Sequence, residues 1–140
     1  MRRASVVTAG VVATCAAAAS PAAAAVNDPQ HVSLPKVVWK TSDGRDQYCS
    51  GGYVELYKNG TKVEGKTFAG YCTAKARYRI DLLGPGFPRT SSYGVNSGGY
   101  WSFPLTRNAP VAEGTWSACG GYTNSNYDFV VTRCANGSFK

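Results

Sequence analysis

Three cations at alternate positions, Lys75, Arg77 and Arg79, are the residues whose spacing most directly suggests chemistry. On an extended chain, residues two apart project to one side at intervals of ~6.6 Å, a row of charge along which a polyanion could lie. Asp81 ends the row, and the plainer reading is the wet face of an amphipathic strand. Aromatic residues are the second candidate set, with nine tyrosines and three tryptophans in the chain. Tyr93, Tyr100 and Trp101 stand in or beside a glycine- and serine-rich stretch, where flat rings can face solvent and stack on sugars or on a protein partner. In the same stretch Pro88-Arg89-Thr90 could present Arg89 to a trypsin-like pocket.

Groups suited to catalysis are scarcer. The one histidine, His31, falls on an N-terminal arm, whereas a general base has to be held rigidly by a third group. Glu55 and Glu64 should oppose one another on a hairpin, and carboxylates ~5 Å apart could serve glycoside hydrolysis. Lys62 and Lys66 beside them favour a neutralised, solvated face instead. No phosphate-cradling glycine loop, Ca²⁺ loop or nucleophile elbow is present. With cysteines committed to bridges and one histidine, a zinc or transition-metal site has no ligand set, so neither an enzyme nor a cofactor is expected.

Five cysteines are present, and Cys15 lies in the N-terminal apolar stretch, leaving Cys49, Cys72, Cys119 and Cys134. Four cysteines allow three pairings that spacing cannot separate. Cys49 and Cys72 bracket one hairpin and Cys119 and Cys134 bracket the last turn. Two local bridges are therefore expected, each stabilising by about 3 kcal/mol through restriction of the unfolded chain. The hairpin is centred on Asn59-Gly60, the dipeptide suited to a type I′ turn. That register opposes Leu56 to Val63, placing Val54, Leu56 and Val63 on one face and Tyr53, Tyr57, Lys62 and Lys66 on the other. Cys49 and Cys72 are two positions out of this register, so a bulge or bend has to bring them together.

Met1-Arg2-Arg3, the small apolar residues Ala4–Ala19 and the alanines before Val26 read as a secretory signal peptide of bacterial appearance over 1–25. Its loss lowers the formal charge of +7 by two. The remaining excess favours weak contact with anionic polymers, and equally serves solubility. No later apolar run approaches the ~20 residues that a membrane-spanning helix needs. Residues 26–35, with Pro29 and Pro35, read as a flexible arm, and 36–140 as a single β domain.

Strands are expected over 36–40, 52–58, 61–69, 74–82, 100–106, 115–122 and 127–134, with 84–99 as a long loop. The strand over 74–82 has the cleanest alternation, Ala74, Ala76, Tyr78, Ile80 and Leu82 against Lys75, Arg77, Arg79 and Asp81. The fold class is all-β, a small antiparallel β-sandwich or flattened barrel of about seven strands with two disulfides. Val111–Tyr122, where a turn ending in Gly114-Thr115-Trp116 enters a strand, is similar in architecture to a late strand of immunoglobulin-like modules, without their cysteine and tryptophan spacing. A secreted, monomeric, non-catalytic binding protein is the leading expectation. Its partner would be extracellular carbohydrate or an anionic cell-wall polymer, with no specific nucleic acid. The alternative is a secreted inhibitor of an extracellular protease or other hydrolase.

Overall fold

The computed structural model describes residues 24–25, 30–101 and 104–139. All regular structure among them is strand: β1 (Ala24–Ala25), β2 (Gln30–Ser33), β3 (Val37–Lys40), β4 (Asp46–Ser50), β5 (Tyr53–Asn59), β6 (Lys62–Phe68), β7 (Tyr71–Cys72), β8 (Ala76–Gly84), β9 (Phe87–Asn96), β10 (Tyr100–Trp101), β11 (Leu105–Pro110), β12 (Gly114–Thr123) and β13 (Phe129–Phe139). They form three sheets, in the orders β1-β13-β12-β8-β9, β11-β6-β5-β2 and β10-β7-β4-β3. Pairing is antiparallel except for the short β1–β13 contact, and no sheet closes into a barrel. No helix long and apolar enough to cross a membrane is present among the described residues.

The central hairpin turns one residue later than expected. Asn59 pairs with Lys62, so the loop is Gly60-Thr61. Gly60 alone of the two takes a positive φ, the pattern of a II′ turn. Every pairing therefore moves by two residues, which preserves the faces because side chains alternate with period two. Val54, Leu56 and Val63 are fully buried as the alternation requires. The same register, carried past a bend at residues 51–52 and 69–70, opposes Cys49 to Cys72 directly. β4–β5 and β6–β7 are thus one long bent hairpin, and the cysteines meet without an extra residue.

The bend is held from the largest sheet. Tyr122 Oη donates to the Ala69 carbonyl at 2.8 Å, and Asn96 Nδ2 to the Gly70 carbonyl at 3.2 Å. Gly70 has φ +81°, and a Cβ there would lie 2.1 Å from the Ser50 carbonyl oxygen, so only glycine fits.

Two faces make the sandwich core. Ile80, Leu82, Trp116 and Ala118 of the large sheet pack against Val54, Leu56, Val63 and Thr67. Glycines let the sheets approach: a Cβ on Gly65 would meet Ala118 Cβ at 2.9 Å, and one on Gly120 would meet Thr67 Cβ at 2.7 Å. Both disulfides link neighbouring strands of one sheet, Cys49–Cys72 and Cys119–Cys134, with Cα separations of 4.1 and 4.0 Å. An immunoglobulin bridge would instead run between sheets.

Three further expectations change. Residues 84–99 are not a loop: β9 pairs with β8 from Thr90↔Leu82 to Asn96↔Ala76, after a tight Pro85-Gly86 turn. Glycines, serines and Pro88 mask its strand character, yet Pro88 is tolerated because β9 is an edge strand. Within the expected arm, residues 30–33 form β2 and pair with β5. The expected strand 100–106 divides between β10 and β11, which lie in different sheets. Of the expected signal peptide, residues 1–23 lie outside the described residues.

Substituting Gly120→Ala should lower unfolding free energy by about 1–3 kcal/mol through overpacking against Thr67, read from urea midpoints. Burial pushes the Tyr122 phenol up to about 12 from its ordinary 10. The folded state therefore binds the proton more tightly than the unfolded chain. Its contribution is complete below about pH 10 and is lost as pH rises toward 12. Ultraviolet titration should show two tyrosines ionising near pH 12, of which Tyr122→Phe removes one.

Candidate functional site

The outer face of the large sheet brings together four of the seven sequence candidates. Arg77 and Arg79 on β8 lie opposite Val95 and Tyr93 on β9, and Arg89 follows two positions beyond Ser91, the partner of Asp81. Tyr93 is 54% exposed, on a strand whose alternate residues face the core. Lys75 precedes β8 and, with Arg77, borders an adjoining cleft. Tyr100 and Trp101 are placed elsewhere: β10 pairs with β7 in another sheet, and their side chains lie outside the described residues.

Arg79 is not an open cation. Its Nε and Nη2 donate to the two carboxylate oxygens of Asp81 at 2.7 and 2.8 Å, and Nη1 donates to the Tyr127 carbonyl at 3.0 Å. Asp81 is only 2% exposed and also accepts from Ser91 Oγ at 2.6 Å. The Asp81 hydrogen bonds hold the Arg79 guanidinium even more firmly protonated than usual, against some opposing desolvation. Arg89 Nε stands 3.8 Å from the same carboxylate. The cation row is therefore interrupted by a buried acid that fixes its centre, and Arg77 is the open member of the β8 pair.

Fixing Arg79 builds an aromatic surface. Its guanidinium carbon sits 4.8 Å from the Phe129 ring centroid and 5.8 Å from that of Tyr93. Arg77 sits 5.8 Å from the Tyr127 ring, which meets Tyr93 edge-on at 5.0 Å. These are cation–π and T-shaped geometries that orient each ring. Tyr127 has φ +62°, the one positive φ of a non-glycine among the described residues. Its turn is organised by Asn124, whose Oδ1 accepts from the Asn126 and Asp128 amides at 2.8 and 3.0 Å. A tyrosine in the left-handed region costs about 1–2 kcal/mol relative to its relaxed state, and such strain is characteristic of functional surfaces.

Sequence reasoning missed Tyr127 and Phe129, because Tyr127 reads as the start of a strand and its role depends on a backbone conformation with no residue-type signal. The Asn124-Ser125-Asn126 cluster did mark the turn.

The other possible chemistry changes in detail. Glu55 opposes Lys66 and Glu64 opposes Tyr57, so the two carboxylates are not the facing pair expected. Lys66 Nζ lies 3.6 Å from Glu55, while Glu64 accepts from Tyr57 Oη and Asn59 Nδ2, both at 2.9 Å. Burial and the Glu64 hydrogen bond push the Tyr57 phenol up to about 12. His31 is held on β2, its Nδ1 3.0 Å from Glu55 and its ring stacked on Tyr53 at 4.7 Å. No Ser, Thr or Cys side chain hydrogen-bonds to that ring among the described residues. No group of three or more His, Cys, Asp or Glu that could hold a metal ion occurs among the described residues.

No protein-family model, curated protein or solved structure matches the chain, so the geometry alone defines the site.

Removing the Asp81 carboxylate leaves Arg79 partly buried without its counter-charge. Asp81→Ala should cost about 3 kcal/mol of unfolding free energy, and Asp81→Ala with Arg79→Met should recover part of it. Urea denaturation of the two variants checks this.

Proposed function

We propose that this chain is a secreted, non-catalytic binding protein for a carbohydrate or cell-surface polymer, which lies on the outer face of the large sheet. The observation that carries the reading is the ring array of Tyr93, Tyr127 and Phe129, oriented by the guanidinium groups of Arg77 and Arg79. An exposed Tyr93 ring flanked by the half-buried Tyr127 and Phe129 rings, with donors at their margins, suits a polymer that offers apolar sugar faces and hydroxyls in alternation. Because paired strands, rather than a loop, carry most of the array, little ordering cost falls on binding. Two intrachain disulfides suit an oxidising, extracellular setting, as does the charged and apolar N-terminal segment.

The inhibitor reading rested on an extended loop around Arg89. Pro88-Arg89-Thr90 instead lies within β9, with Thr90 paired to Leu82, which leaves that reading with less support.

Retention on chitin, cellulose, polygalacturonate and purified cell wall tests the proposal. At least one polymer should retain the protein, and Tyr93→Ala should weaken retention by about tenfold, the loss of one aromatic contact. Tyr127→Gly, which relieves the backbone while deleting the ring, should weaken retention without lowering stability. Failure of every polymer to retain the unmodified protein would overturn the proposal. Stoichiometric loss of trypsin or subtilisin activity on mixing would favour the inhibitor in its place.

A further inference from the structure

Beside the aromatic face lies a cleft of about 240 Å³. Trp39 and Val38 of edge strand β3 and Val130 of β13 supply apolar lining, and Lys75, Arg77 and Ser125 supply polar lining. The volume is below the roughly 300–1,000 Å³ of pockets for drug-sized ligands, so the cleft suits one ring-sized group.

Three observations point to the chemistry of that group. First, the four exposed large apolar side chains among the described residues are Val38, Tyr93, Val95 and Val130. Two line the cleft, and Tyr93 and Val95 adjoin it on β9, with Val95 opposite Arg77. Val130 owes its position to a bulge, since pairing passes from Tyr122↔Val131 to Thr123↔Phe129 and leaves it as the extra residue. Secondly, Trp39 is half-buried, and among the described residues its indole stacks on no ring and its N–H meets no acceptor. Thirdly, Lys75 and Arg77 are the two cations that line the cleft, and neither has a carboxylate within ion-pair distance among the described residues.

We infer that the cleft holds a carboxylated sugar ring, a uronic acid unit of an acidic polysaccharide, with the ring against Trp39 and the carboxylate between Lys75 and Arg77. The inference rests on the polymer reading above and names its ligand class. An unfilled cation pair calls for an anion. The apolar lining and indole call for a ring, which a polyphosphate does not supply. Arg77 belongs both to the cleft and, through Tyr127, to the aromatic face, so a chain seated in the cleft continues onto Tyr93.

The test separates the cleft from the face. Methyl glucuronoside titrated into ¹⁵N-labelled protein should shift the Trp39 indole N–H saturably. Methyl glucoside, the same ring without the carboxylate, should bind at least about tenfold more weakly, as loss of a charged hydrogen bond requires. Pyrophosphate should leave the Trp39 signal in place. The double variant Lys75→Ala with Arg77→Ala, checked for folding by circular dichroism, should abolish the preference for the glucuronoside. Equal shifts from the glucoside, a Trp39 shift from pyrophosphate, a preference that survives the double variant, or no shift with any probe would each overturn the inference. In a parallel experiment polygalacturonate should retain the protein and its carboxyl-reduced form should not. Glucuronoside binding in the cleft without retention by any polymer would sink the polymer reading and leave the cleft standing, whereas equal retention by both polymers would do the reverse.

Discussion

Close approach of two sheets is the constraint on which the rest of this molecule depends. Gly65 and Gly120 remove the side chains that would hold the β5–β6 hairpin away from β8 and β12. The small contact residues Ala118 and Thr67 fit where they do because nothing larger stands opposite. With the sheets that close, alternate residues of β8 have no choice of side: Tyr78, Ile80 and Leu82 go inward, and Arg77, Arg79 and Asp81 go outward. The charged outer face is thus a by-product of core packing, laid down by the same alternation.

On that outer face Asp81 does for the surface what the glycines do for the interior. A nearly buried carboxylate that holds a guanidinium at both oxygens turns a long, mobile side chain into a fixed plate. Phe129 and Tyr93 pack around the plate, and Tyr127 closes the array from a strained turn. The interaction links strands β8, β9 and the start of β13, so Tyr93 and Phe129 are spaced by sheet geometry and Tyr127 by its turn.

Much of this was legible in the residues. The alternation over 74–82 puts each residue from Ala76 to Leu82 of β8 on its correct side, and bracketing picks out both disulfides, which four cysteines alone leave open among three pairings. The hairpin survived a misplaced turn because a slip of two residues leaves the faces unchanged; a slip of one would have inverted them. What escaped was β9, whose serines, glycines and prolines resemble a loop when read singly. Gly94 is there because a Cβ would meet the Tyr78 ring at 2.9 Å, a demand made by tertiary packing and invisible in the local sequence. The aromatic face escaped for a related reason: Tyr93 stands out in the sequence, but its neighbours Tyr127 and Phe129 come from a distant turn and the strand that follows it. The cleft likewise joins β3, β8 and the turn before β13, which no motif connects.

Both disulfides join residues that stand directly opposite in paired strands, Cys49 with Cys72 and Cys119 with Cys134. A strand that zips up out of step by one residue turns one thiol toward the wrong side of the sheet, and one out of step by two carries the sulfurs apart along the ladder. Oxidation is therefore able to seal only the correct alignment. Once formed, each cystine makes the registration of its strand pair permanent.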